Sequence, residues 1–180
     1  MIEANSNTLF QRLDQFELDL CLVLNRTCHK QALRRFFAVI SRLGNGIFWY
    51  MLMLLIPVIE GPEAIFVSLH MALVALIGLM VYKVLKKRLV RERPFFTHPD
   101  ILLGTAPLDK FSFPSGHTLH AVGFTIVASY YYPPLAIVLV PFALLTAMSR
   151  IILGLHYPSD VLAGAAIGAS IALASFALLV

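Results

Sequence analysis

Five stretches of this chain are apolar at nearly every position, and polar turns or charged loops separate them. The first runs from about Leu43 to Ile59 and carries the aromatic pair Trp49-Tyr50. The polar turn Glu60-Gly61-Pro62-Glu63 precedes the second, Ala64–Tyr82, whose 19 residues bear no formal charge. Helix is expected to continue from there through Lys83–Arg91. A long loop, 93–113, leads to the third stretch, 117–132, which Pro114-Ser115-Gly116 opens and Tyr130-Tyr131-Tyr132 and Pro133-Pro134 close. The fourth covers 135–153 and the fifth 161–180. A helix needs about 20 apolar residues to cross ~30 Å of hydrocarbon. The pattern therefore predicts an all-α, polytopic membrane bundle of about five transmembrane helices. Gly164-x3-Gly168 in the fifth stretch predicts a close helix-packing face within the bundle.

Residues 1–42 read differently. Met1–Gln15 is polar, without a basic start or an early apolar run, so no cleavable signal peptide is expected. Phe16–Asn25 and Lys30–Leu43 mix apolar and charged positions at helical spacing. Ten residues, as in Phe16–Asn25, are too few to span a bilayer. The region is read as interfacial amphipathic helices, with Arg34, Arg35 and Arg42 snorkelling to head groups. The chain thus divides into an N-terminal interfacial region, 1–42, and a transmembrane domain, 43–180. Five crossings bring the N-terminal helices, the loop 83–116 and the turn 154–160 to one face. No internal repeat or low-complexity segment appears.

Composition agrees with a membrane protein. The 180 residues are 59% hydrophobic and 13% charged, against about 25% charged in soluble domains. Mean hydropathy is +0.81. The net charge of +4 does not point to nucleic acid, because the basic residues sit beside apolar spans and form no polar tail. Cys21 and Cys28, seven apart, are expected to be packed or lipid-facing thiols.

Three segments on the shared face carry chemistry: Lys86-x6-Arg93-Pro94, Pro114-Ser115-Gly116-His117 and Ser149-Arg150-x5-His156-x3-Asp160. Lys83, Lys86, Lys87, Arg88, Arg91 and Arg93 put six cations in eleven residues, which alone could be a lipid-facing basic cluster. Lys86 and Arg93 would share a helix face, with the helix ending before Pro94. Ser115 suits an N-cap, Gly116 admits a ligand to the backbone, and a helix N-terminus attracts anions. Arg150 within an apolar stretch needs a partner or ligand. Asp160, four residues after His156, can reach Nδ1 and leave Nε2 as nucleophile. Phosphoryl transfer needs this set: cations for the equatorial oxygens, a nucleophile, a leaving-group acid and an orienting carboxylate. His120, one turn after His117, and His70, in mid-span, read as packing residues, and His98 and Asp100 as loop residues that could serve a lid.

In order and spacing these segments resemble the type 2 phosphatidic acid phosphatase superfamily, with its pattern K-x6-R-P, P-S-G-H and S-R-x5-H-x3-D. The resemblance covers the motifs and extends over 43–180, which would make this the phosphatase domain. It implies that His156 is the nucleophile, Asp160 its partner and His117 the acid for the leaving oxygen. Lys86, Arg93, Ser115, Gly116 and Arg150 would bind the phosphoryl oxygens. No metal and no cofactor are implied, and three nearby cations disfavour a zinc site built from His117, His156 and Asp160.

The resulting expectation is a membrane lipid phosphatase acting through phosphohistidine. Undecaprenyl diphosphate is the preferred substrate, with phosphatidylglycerophosphate, phosphatidic acid and lipid A open. A lipid phosphotransferase would use the same site. A non-catalytic protein that binds anionic lipid would need neither histidine, and the haloperoxidases that share the constellation are soluble. Partners are a lipid phosphate and the bilayer, with no nucleic acid and no obligate protein partner evident. The expected location is the plasma (inner) membrane, multi-pass. The positive-inside rule puts the basic face in the cytoplasm, whereas the resemblance puts the active face in the periplasm or outside.

Overall fold

The computed structural model describes residues 3–179. Eight α-helices account for most of them: α1 (Glu3–Asn25), α2 (Gln31–Arg42), α3 (Phe48–Glu60), α4 (Ile65–Arg88), α5 (Pro94–Thr97), α6 (Gly116–Tyr131), α7 (Ala136–Ile152) and α8 (Pro158–Leu179). Helical segments at 31–60, 62–88, 133–152 and 158–179 are each long and apolar enough to cross a membrane. Helix α6 has only 16 residues, about 24 Å at 1.5 Å per residue. It is nonetheless the central element and packs on α4, α7 and α8. Small residues permit this. A Cβ on Gly164 or Gly168 of α8 would run into the carbonyl oxygens of Ser115 and Leu119, so the Gly-x3-Gly pair faces α6 as expected. Close approach of this kind replaces the hydrophobic drive that lipid cannot supply. His70 sits in mid-bundle, bonded to Tyr131 Oη at 3.0 Å and Ser175 Oγ at 2.7 Å.

The interfacial reading of residues 30–43 needs a correction of connectivity. Helices α2 and α3 form one kinked segment through a π-helical turn at Leu43–Ile47, where Gly46 takes φ 125°. Gly44 lies against Thr146 of α7 with no room for a Cβ. Trp49, just past the kink, packs its ring 5.2 Å from Phe124 and 5.5 Å from Phe142. Arg34, Arg35 and Arg42 are exposed. Lipid-facing positions such as Leu54, Val58, Ile137 and Leu162 are apolar and exposed.

Helix α4 stops at Arg88, three residues before the expected end. Leu89 turns out of helix at φ −110°, ψ 88°. Extended backbone from there is held by Ser112, whose N–H donates to Arg91 O at 2.8 Å and whose hydroxyl donates to Glu92 O at 3.0 Å. Lys86 and Arg93 therefore do not share a helix face. Arg93 instead caps α5 in extended conformation, which swings it toward the 153–157 turn.

Helix α1 lies beneath that turn. Asn25 donates to Leu102 O at 2.9 Å and Ile152 O at 2.8 Å, and its side-chain oxygen accepts from Leu102 N at 2.8 Å. Cys21 and Cys28 are free and buried, and Cys28 Sγ donates to Ile152 O at 3.1 Å. Both thiols are packing residues, as their sequence context suggested.

Candidate active site

All three motif segments meet at one end of the bundle. Two backbone bonds from the 153–157 turn back to Arg150 O, Leu155 N at 3.0 Å and His156 N at 3.1 Å, tie His156 to the end of α7. Gly154, at φ 73°, makes that reversal possible. Ser115 N–H donates to Asp160 O at 3.0 Å, joining the start of α6 to the start of α8. His156 and Asp160 are 1% and 0% exposed.

Arg93 is the hub. It is 1% exposed, donating through Nε to Asp109 O at 3.0 Å, through Nη2 to Asp109 Oδ1 at 2.7 Å and through Nη1 to Leu155 O at 2.7 Å. Nη1 also lies 3.2 Å from His156 Nε2. A guanidinium has no acceptor, so Nε2 must present its lone pair and the ring proton sits on Nδ1. That is the tautomer a nucleophilic Nε2 requires. Burial, then the charges of Arg150, Arg93 and Lys86, hold the His156 imidazolium pKa well below its ordinary value. The neutral form of the ring is therefore favoured.

Asp160 stands 3.6 Å from His156 Nδ1, beyond hydrogen-bond length, where direct contact was expected. The reason is local. Asp160 Oδ2 accepts from Tyr157 N at 2.8 Å and Oδ1 from Arg91 Nη1 at 2.8 Å. The carboxylate faces Nδ1 while those two donors hold it. Arg150, 3% exposed, reaches Ser41 Oγ through Nη1, and its buried Nε has no partner among the described residues. Ser115 is fully buried, bonded to Thr118 Oγ1 at 3.0 Å. At Gly116 a Cβ would strike the Tyr82 ring. Arg93 and Asp160 thus face His156 directly, while Ser115 is joined to Asp160 through the backbone and Lys86 to Arg93 through Asp109.

His117 lines a cavity of about 500 Å³ between the kink at 44–50, α4 and α6. Leu76, Leu79, Leu108 and Phe124 make its walls apolar, and His120 joins them. His120 also stacks on Phe124 at 5.6 Å, as a packing residue would, but its buried Nδ1 has no partner among the described residues. His98 and Asp100 lie outside the cluster, with His98 in a separate hollow beside Asp14 and Glu92.

Sequence reasoning gave Tyr82, Asp109, Arg91, Glu17 and Ser41 no place in the site. Asp109 accepts from Lys86 Nζ, Tyr82 Oη and Arg93, so it is the counter-charge for two of the predicted phosphate ligands. Burial raises its carboxyl pKa, but bonds from Lys86 and Tyr82 and the charges of Lys86 and Arg93 outweigh that and hold it at about 2. The folded value lies below the ordinary ~3.9. Its stabilisation is therefore complete above about pH 4 and lost as pH falls through about 2. Melting in detergent across that range checks this: wild type should exceed Asp109→Asn near pH 5, with the gap closing toward pH 2.

Helices long and apolar enough to cross a membrane, with buried cations and histidines clustered at one end, define a class of helical integral-membrane protein. The chain belongs to the PAP2 superfamily, whose family model matches residues 67–180. It is 43% identical over 90 residues to the decaprenylphosphoryl-5-phosphoribose phosphatase of Mycobacterium tuberculosis, covering 49% of this chain and 48% of that one. It is 30% identical over 141 residues to the undecaprenyl-diphosphatase of Sulfolobus acidocaldarius, covering 76% of this chain and 66% of the relative. Crystalline Aquifex aeolicus LpxE superposes with a TM-score of 0.78 at 28% identity, over 88% of this chain and 93% of that one. The chain spans about half the length of the first of these relatives.

Proposed function

We propose that this protein is a lipid phosphatase that removes a terminal phosphate through a phosphohistidine. The carrying observation is the placement of His156, with Nε2 3.2 Å from Arg93 Nη1 and Nδ1 3.6 Å from Asp160. Nε2 attacks phosphorus, the bond to the leaving oxygen breaks, and His117 gives that oxygen its proton. Water then attacks phosphorus and gives its proton to His117, and the P–N bond breaks to release phosphate and His156. Lys86, Arg93 and Arg150, with Ser115 and Gly116 at the start of α6, bind the phosphoryl oxygens. Asp109 yields Lys86 and Arg93 to the substrate. The apolar cavity beside His117 takes the first part of the lipid tail.

The substrate we favour is a polyprenyl phosphate, undecaprenyl diphosphate in particular. Both relatives' names support it: one acts on a decaprenylphosphoryl sugar phosphate and the other is an undecaprenyl-diphosphatase. No divalent metal is needed, because three side-chain cations already supply the positive charge. Phosphate release in excess chelator tests both points, over undecaprenyl diphosphate, phosphatidylglycerophosphate, phosphatidic acid and lipid A. Undecaprenyl diphosphate should give the highest kcat/KM with no loss to chelation. A flat panel, or activity restored only by Mg²⁺ or Zn²⁺, contradicts the respective claim.

We further propose that the active face lies outside the cytoplasm. Lys86 and Arg93 share Asp109, and Arg91 binds Glu17 and Asp160, so these cations have a role in the site that accounts for their presence on this face. Ala106 is exposed on the 98–115 loop. Ala106→Cys, with Cys21 and Cys28 replaced by alanine, should react with an impermeant thiol reagent in intact cells. Labelling only after lysis places the face inside.

A further inference from the structure

A chain of charged contacts runs from helix α1 to the histidine pair. Glu17 Oε2 accepts from Arg91 Nη2 at 2.8 Å. Arg91 Nη1 donates to Asp160 Oδ1 at 2.8 Å and to Ser159 Oγ at 2.7 Å. Glu17 Oε1 accepts from the backbone N–H of Ser159 at 2.6 Å, in the first turn of α8. The Arg91 guanidinium also lies 4.1 Å from the centre of the Tyr157 ring. One carboxylate of α1 thus grips both the arginine that holds Asp160 and the helix that carries it.

This arrangement solves a specific difficulty. Asp160 is fully buried and does not bond His156 directly, so its rotamer must be set from its other side. Arg91 and the Tyr157 N–H do that, but an arginine without its own counter-charge would draw the carboxylate's charge away from Nδ1. Glu17 shares the arginine's charge and leaves Asp160 more negative toward the imidazole. Residue 17 lies outside the family-matched region, 67–180. Neither Glu17 nor Arg91 bonds a residue assigned to the phosphate.

We propose that Glu17 and Arg91 are positioning residues that aim Asp160 at His156, so that the N-terminal helix is part of the catalytic apparatus. This rests on the phosphohistidine reading above. Small misplacements at a reacting centre can cost up to about 10²-fold. Glu17→Gln keeps the size and an acceptor for Ser159 but removes the charge.

The test is steady-state kinetics on p-nitrophenyl phosphate in detergent, per mole of folded enzyme. Glu17→Gln should lower kcat on the order of 10-fold, with KM and the inhibition constant of inorganic phosphate within about twofold of wild type. Arg91→Lys should behave alike, and the double variant should lose little more than either single one, as members of one chain do. Leu18→Ala, which loosens the packing of α1 against the cluster that holds Ile101 and Tyr157 without touching the charges, controls for docking. Unchanged kcat in Glu17→Gln overturns the proposal. So does a loss matched by Leu18→Ala, or one that appears only as weaker phosphate binding. His156→Ala, run alongside, separates the two levels. If it retains turnover, the underlying reading fails; if it is dead while Glu17→Gln is normal, only this inference fails.

Discussion

Replacing His156 with alanine should abolish turnover on every phosphate ester, a loss on the order of 10⁴-fold or more, because the proposed reaction passes the phosphoryl group through its Nε2. The fold should survive. Backbone bonds from Leu155 and His156 to Arg150 O set the turn, and Asp160 keeps Arg91 and the Tyr157 N–H. Arg93 keeps Asp109 and Leu155 O, so no buried charge is orphaned. His156→Gln, nearer in volume, should be equally dead and guards against a cavity effect. Inorganic phosphate should still bind both variants, since the cations remain.

The second large effect depends on the leaving group. His117→Ala should lower the rate on a lipid phosphate by 10²–10⁴-fold, the usual worth of a general acid. Most of that should return with p-nitrophenyl phosphate, whose phenolate leaves without a proton. His117 is suited to this selective role because it lines the apolar cavity, where the departing lipid would lie, while His156 is buried among the cations. Equal losses on both leaving groups would remove His117 from the acid's position.

Much of this site was legible because membrane proteins hide charge at a cost. Arg150 in an apolar run and Asp160 at the head of another demanded partners, and the spacing of the three motifs supplied a family pattern. The apolar periodicity located the spanning helices and the Gly-x3-Gly face. What stayed illegible depended on the path of the chain between helices. Nothing local shows that α4 ends at Arg88, because Leu89 and Val90 continue its apolar pattern; the break follows from the Ser112 bonds, 20 or more residues on. Asp109 looked like a loop carboxylate until the loop folded over Lys86 and Arg93. Glu17 was one charge among several on an amphipathic helix, and only tertiary docking distinguishes it. A count of charges could have hinted at both, since buried cations need anions and the chain has only ten acidic residues.

The most direct measurement is rapid quenching of the enzyme during turnover of a substrate carrying labelled phosphate, followed by peptide mapping. Label should appear on the peptide containing His156, be stable in alkali and lost in acid as a phosphoramidate is, and be absent from His156→Ala. Label on another residue, or label that persists in His156→Ala, would contradict the assignment of His156 as the nucleophile.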